Sequence, residues 1–251
     1  MSATPFSLAG RRALVTGSSQ GIGFALARAL AAAGAQVILN GRDPGRLAQA
    51  AARLRSEGFR VDLAAFDVTD ESAVRAATPG LGVIDILVNN TGINRRGPLE
   101  STTLADWEAV LRTDLTSVFL VTRTLVPGMI ERRAGKIINI CSLMSELARP
   151  TIAPYAAAKG GVKMLTRSMC AEWARHNIQA NGIAPGYIRT ELTEPLAADP
   201  KFDAWLKQRT PAARWGSVDD LGGACVFLAS PAADFINGHI LTVDGGLSAV
   251  V

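Results

Sequence analysis

An apolar stretch, Arg12-Ala13-Leu14-Val15-Thr16, runs into the glycine-rich turn Gly17-Ser18-Ser19-Gln20-Gly21-Ile22-Gly23 and on into an alanine-rich amphipathic segment from Ile22 to Ala33. Strand, tight turn and helix in immediate succession predict the opening of a βαβ unit, in which parallel strands are joined by a crossover helix. The alternation continues along the chain: Gln36 to Asn40, Phe59 to Phe66, Ile84 to Val88 and the apolar run that Ser142 closes read as further strands. A composition of 48% hydrophobic and 19% charged residues suits a sheet covered by helices on both faces. The 251 residues contain no composition break, repeat or linker, so the expectation is one α/β domain over residues 1–251.

Several function classes are disfavoured. The segment Met1 to Gly10 has no basic stretch followed by an apolar core, and no later apolar run reaches the length of a membrane span, so a soluble cytoplasmic protein without a membrane partner is expected. Cys141, Cys170 and Cys225 have no paired short spacing, and His176 and His239 are the only histidines, which leaves little material for a disulfide framework, a bound metal or a histidine-centred triad. The formal net charge of +4 comes from scattered Arg and Lys without interleaved aromatics, a pattern suited to small anionic ligands rather than nucleic acid.

The glycines of the turn are spaced GxxxGxG, different from the GxGxxG fingerprint but obeying the same logic: a tight turn, close backbone approach to a pyrophosphate, and a helix N-terminus facing the anion. Gly17, Ser19, Gln20, Gly21, Ile22 and Gly23 are therefore candidate cofactor-binding residues. The second strand ends without the carboxylate that holds an adenosine ribose in NAD-selective proteins, and Arg42 follows it. A guanidinium there can pair with a 2′-phosphate, which favours NADP(H); Asp43, displaced by a few residues, remains a competing ribose ligand. Asp67 and Val68, after the third strand, are placed to hold the adenine, and Asn89-Asn90-Thr91-Gly92 closes the fourth. All fall at the carboxyl edge of the sheet, where open α/β folds bind ligands.

Tyr155 and Lys159 occupy positions i and i+4 of a helical stretch and so share one face. An ammonium about 4 Å from a phenol stabilises the phenolate by roughly 4 kcal/mol at an effective dielectric of about 20, the sense of help a tyrosine needs to act as an acid and base near neutrality. Ser142 supplies a hydroxyl able to hold the same carbonyl oxygen.

With the glycine turn, Asn89-Asn90-Thr91-Gly92, Ser142, Tyr155, Lys159 and Pro185-Gly186 in this order, the chain resembles the short-chain dehydrogenase/reductases over its full length. The resemblance implies a Rossmann-like, doubly wound seven-stranded parallel sheet, a nicotinamide cofactor, and a proton-transfer site in which Tyr155 gives the proton, Lys159 favours its phenolate and binds the nicotinamide ribose, and Ser142 holds the carbonyl. It also implies that Asn89, Thr91 and Gly92 contact the cofactor, and that Pro185, Gly186, Tyr187, Ile188 and Thr190 line the nicotinamide pocket. Segments such as Ile138-Asn139-Ile140-Cys141-Ser142 and Arg175-His176-Asn177-Ile178-Gln179 resemble a subgroup acting on gluconate and 5-keto-D-gluconate, which implies a polyol, aldonate or keto-acid substrate. Other expectations compatible with the same trio are a 3-oxoacyl carrier-protein reductase or a non-catalytic NADP(H)-sensing protein.

Two residues depart from the family pattern: Thr91 stands where the family usually has Ala, and Asp114 where it carries a catalytic Asn. A carboxylate near Lys159 would hold the ammonium charged and partly cancel its field at Tyr155. On the substrate side, Arg95 and Arg96 are candidates for a carboxylate, and Glu146 and Arg149 for sugar hydroxyls; the alternative for all four is a solvated loop charge. Residues 189–215, with Phe202, Trp205 and Leu206, read either as a substrate lid or as ordinary packing. The Tyr155 helix is apolar on several sides, at Val162, Met164, Leu165, Met169 and Trp173, and the carboxyl end from Ile240 to Val251 is apolar too; together with the resemblance this predicts a homotetramer.

Overall fold

The computed structural model describes residues 4–250; Met1 to Ala3 and Val251, parts of the expected domain and of its apolar carboxyl end, lie outside the described residues. Seven parallel strands, β1 (Arg12–Val15), β2 (Gln36–Gly41), β3 (Val61–Ala65), β4 (Ile86–Asn89), β5 (Gly135–Ile140), β6 (Ile178–Pro185) and β7 (Ile240–Val243), form one sheet in the order β3-β2-β1-β4-β5-β6-β7. The side-chain alternation of each strand sorts its residues between two cores. Ala13, Val15, Val37, Leu39, Ile86, Val88 and Ile138 face one side, and Leu14, Ile38, Leu87 and Ile137 face the other. Both sets are buried, which explains why the strands read as continuous apolar runs.

On the first side lie α1 (Gly21–Ala32) and α2 (Pro44–Ser56). The second core takes residues from α3 (Glu71–Ala77), α5 (Ser117–Arg132) and α6 (Ala153–Trp173), while the helical stretch α4 (Leu104–Leu111) buries Val110. Two short helices, α7 (Glu194–Ala197) and α8 (Pro200–Arg209), stand over the carboxyl edge, and α9 (Gly222–Ala229) returns to the first core. Strand order reverses between β1 and its neighbours β2 and β4, so a crevice opens where the turn after β1 meets the end of β4. No helix among the described residues is long and apolar enough to cross a membrane.

Ser142 does not end a strand. The strand stops at Ile140, and Ser142 caps the 3₁₀ turn Leu143–Ser145, its Oγ accepting from the Met144 amide at 3.1 Å. Between α4 and α5 the chain passes through a π-helical turn, Arg112–Thr116, where the Ser117 amide reaches back to Arg112 O and the Ser117 hydroxyl donates to Thr113 O at 2.5 Å. Such single wide turns within a helix commonly re-aim a residue at a functional site; here the residue is Asp114.

Candidate active site

The glycine turn is held both by Asn90, at the end of β4, and by its own Ser18. Asn90 Nδ2 donates to Thr16 O and Gly17 O, both at 3.0 Å, and the Asn90 amide donates to Thr16 Oγ1 at 2.9 Å, tying the end of β4 to the turn after β1. Buried Ser18 donates to Val15 O at 2.7 Å and accepts from the Asn40 amide at 3.0 Å. Gly17 has a φ of 60°, and a Cβ on Gly23 would lie 2.4 Å from both Gly17 O and Asn90 Nδ2. The tightness of the turn therefore demands glycine at these two positions. Gly21, with a φ of 58°, has open space where a Cβ would point, leaving its backbone approachable for a pyrophosphate. These features fit a dinucleotide.

At the adenosine end Arg42 lies 3.6 Å from Asp67 Oδ2, while Asp67 Oδ1 accepts from the Thr69 amide and hydroxyl, both at 2.8 Å. Asp43 is committed elsewhere: it caps α2, accepting from the Gly45 and Arg46 amides at 2.8 and 3.1 Å. Its Oδ1 is thereby occupied, and the Arg42 side chain beside it is largely exposed. Asn89 faces inward instead, its Nδ2 donating to Thr122 Oγ1 at 3.0 Å and Asn139 Oδ1 at 2.8 Å, so only its main chain is available to a cofactor. Thr91 Oγ1 is buried with no hydrogen-bond partner among the described residues.

Ser142 and Tyr155 line one open cleft together with Asn94, Arg96, Arg149, Pro185, Gly186 and Tyr187. Lys159 is buried behind it. Its Nζ donates to Ile140 O at 2.8 Å, lies 5.6 Å from the centroid of the Tyr155 ring, and stands 3.6 Å from Asp114 Oδ2. Asp114 is itself fully buried, and its Oδ1 accepts from the Ile93 amide at 2.8 Å. Burial alone would lower the Lys159 pKa, but Asp114 and then Tyr155 outweigh it and hold the ammonium above its ordinary range. Burial pushes the Asp114 carboxyl up, against the Lys159 charge and the Ile93 amide, which favour the ionised form.

The four expected substrate residues divide. Arg96 and Arg149 line the cleft; Arg149 donates to Tyr187 Oη at 3.1 Å and stacks 5.1 Å from the centroid of the Phe202 ring. Arg96 is pulled below the usual guanidinium range, first by partial burial and then by Arg149, a sign that two like charges share the cleft. Arg95 points away, 3.5 Å from Asp106, because the loop after β4 turns neighbouring side chains to opposite sides. Glu146 pairs with Lys163 on α6 and does not line the cleft. Above them Leu192, Thr193 and Leu196 form one wall, backed by Tyr187, Phe202, Trp205 and Trp215, whose ring centroids lie 5.2–6.3 Å apart. The segment packs as a cluster beside the cleft, with Leu206 and Trp215 buried against Leu143 and Leu247. Thr190 spends its amide on Thr193 Oγ1 at 2.9 Å within this segment.

A glycine-cradled dinucleotide crevice beside a Ser, Tyr, Lys site on a seven-stranded parallel sheet defines a nicotinamide-dependent oxidoreductase class, and the chain belongs to the short-chain dehydrogenase/reductase family. A family model described as enoyl-(acyl carrier protein) reductase matches residues 17–248. The chain is similar to gluconate 5-dehydrogenase of Gluconobacter oxydans (strain 621H), 53% identical over 247 residues, covering 97% of this chain and 96% of that protein. It is equally similar, at 53% over 250 residues and 98% of each chain, to 5-keto-D-gluconate 5-reductase of Escherichia coli (strain K12). A crystal structure of a gluconate 5-dehydrogenase from Burkholderia cenocepacia J2315 in complex with NADP and tartrate superposes with a TM-score of 0.97 at 56% identity, covering 100% of both chains.

Proposed function

We propose that this protein interconverts D-gluconate and 5-keto-D-gluconate with NADP(H), using Tyr155 as general acid and base. One observation carries the substrate reading: two guanidiniums, Arg96 and Arg149, share a cleft with Ser142 and Tyr155, and neither has a carboxylate partner among the described residues. Like charges facing one space are relieved by an anion, and a guanidinium fork matches a carboxylate. The relatives named for gluconate and 5-keto-D-gluconate, and the Burkholderia enzyme's complex with NADP and tartrate, a polyhydroxy carboxylate, support the same reading.

The cofactor, when bound, supplies or accepts the hydride. Gly17, Ser19, Gln20, Gly21, Ile22 and Gly23 would hold its pyrophosphate, Arg42 its 2′-phosphate, and Asp67 and Val68 its adenine. Asn89, Thr91 and Gly92 would follow along the crevice, with Lys159 at the ribose and Pro185, Gly186, Ile188 and Thr190 around the nicotinamide. In ketone reduction the Tyr155 O–H gives its proton to the carbonyl oxygen. Ser142 Oγ already accepts from the Met144 amide, which leaves its hydrogen free to hold that same oxygen. Lys159 keeps a positive charge behind the ring of Tyr155 and so favours the phenolate left after transfer. Leu192, Thr193 and Leu196 with Tyr187 would shield the reacting carbon from water on one side.

The working state is a cytoplasmic homotetramer. Leu104, Phe119 and Met164, on α4, α5 and α6, are 71%, 43% and 55% exposed, apolar side chains for a partner copy to cover, whereas Val162 and Met169 of α6 are buried within the chain. The deciding assay follows NADPH oxidation with 5-keto-D-gluconate beside an acetoacetyl thioester. Turnover of the sugar acid alone is expected; turnover of the thioester alone, or tight NADPH binding with no turnover on a polyol and keto-sugar panel, would overturn the reading.

A further inference from the structure

The wall of the cleft that holds Ser142 and Tyr155 carries two cationic side chains, Arg96 and Arg149, and no anionic one. Three acids on the loops around it are engaged outside it: Glu146 pairs with Lys163, Glu191 accepts from Gln20 Nε2 at 2.7 Å, and Glu194 lies 3.6 Å from Arg189. Behind the cleft, Lys159 and Asp114 form an ion pair of their own. The cleft therefore has a formal excess of two positive charges, and an aldonate, with its single carboxylate, balances one of them. The two guanidiniums are also held differently. Arg149 is anchored by Tyr187 Oη and the Phe202 ring. The Arg96 side chain is exposed and makes no hydrogen bond or ion pair among the described residues, and it lies close enough to Tyr155 and Arg149 to feel the charge of each.

We propose that this cleft is a two-carboxylate site, with one guanidinium for each end of the ligand, and so prefers aldarates and keto-aldarates, polyhydroxy acids with a carboxylate at both ends, over aldonates. The proposal rests on the gluconate reading above and extends it. Arg149 holds the carboxylate far from the reacting carbon, and Arg96, the guanidinium beside Tyr155, holds a second carboxylate next to that carbon. In gluconate this second position is a neutral CH2OH group, which leaves the Arg96 charge without a counter-charge. A guanidinium fork gains more from a carboxylate, which it meets through charge-assisted and bidentate hydrogen bonds, than from an alcohol. Desolvating the second carboxylate takes back part of that gain, and only part, because Arg96 stands at the open side of the cleft. Selectivity is the difference between the two affinities, and here it is set by one unbalanced charge.

The test titrates the full chain, saturated with NADPH so that no turnover occurs, with D-gluconate and with D-glucarate by isothermal titration calorimetry. The two acids differ only at C6, CH2OH in one and carboxylate in the other. Reduction of 5-keto-D-gluconate is assayed alongside. D-Glucarate is expected to bind roughly tenfold more tightly, an advantage that shrinks as salt is raised. In Arg96→Gln the ratio of the two affinities should fall to about one, and Arg96→Lys, which keeps the charge, should retain part of it. NADPH affinity by fluorescence shows that both variants keep the fold. A wild type that reduces 5-keto-D-gluconate but binds D-glucarate no more tightly than D-gluconate, or a ratio that Arg96→Gln leaves unchanged, would overturn the two-carboxylate site alone. A wild type that binds D-glucarate through Arg96 but neither binds D-gluconate nor reduces 5-keto-D-gluconate defeats the gluconate reading alone. Binding of neither acid, with no reduction, overturns both.

Discussion

Lys159 Nζ stands 3.6 Å from Asp114 Oδ2 and 5.6 Å from the centroid of the Tyr155 ring, with Asp114 fully buried. The ammonium that would help the tyrosine is thus shared with a carboxylate, and in a poorly solvated site that carboxylate offsets part of its field. Because Asp114 raises the Lys159 pKa, the lysine stays charged throughout the working range, and what varies is how much of its charge Tyr155 feels. In Asp114→Asn the offset is gone, and the acid limb of the pH–rate profile for gluconate oxidation should move to lower pH. Superimposable profiles of variant and wild type would dismiss the coupling.

Tyr155→Phe removes the proton donor and little else, since the ring remains beside Lys159. Reduction of 5-keto-D-gluconate should fall by about 10²–10⁴-fold while NADPH affinity stays within a factor of two or so. Fluorescence titration beside steady-state kinetics separates the two readouts.

Arg42 is exposed and loosely paired with Asp67, so its removal costs the fold little. Arg42→Ala should weaken NADP binding by roughly 10–100-fold and leave NAD nearly untouched. Equal effects on both cofactors would mean that the guanidinium does not meet the 2′-phosphate.

Gly23→Ala places a methyl 2.4 Å from Gly17 O and from Asn90 Nδ2, and the first of these is backbone that cannot swing away. The turn must open, with a loss of about 1–3 kcal/mol in stability and of NADPH binding, read by thermal melting with and without the cofactor. An unchanged melt that still shifts fully with NADPH would show that the turn is looser than its packing implies.

Asp220 accepts from Arg214 at 2.7 and 3.0 Å and from the Ser217 amide at 2.7 Å, and these bonds hold its pKa down to about 2. A carboxyl depressed on folding contributes stability above its ordinary range and loses it as pH falls through the folded value. Asp220→Asn should therefore be less stable than wild type at pH 7, by about 1 kcal/mol once solvent screening is allowed for. The gap should narrow between pH 4 and pH 2 in paired melts. A gap independent of pH would assign the effect to shape rather than charge.

What depends on neighbours along the chain was legible without the structure. Apolar runs long enough for a buried strand, the glycine turn between β1 and α1, and the i, i+4 spacing of Tyr155 and Lys159 are local signals, and the sheet and the site follow from them. Which groups separated in sequence share a space emerges from the folded packing alone. The tie of Asn90 to the glycine turn, the burial of Asp114 against Lys159, the inward turn of Asn89, and the choice of Arg96 over Arg95 are each set by the packing of one element on another. Side-chain direction in a loop and partner choice across a sheet are long-range consequences of that packing, and no periodicity in the sequence encodes them.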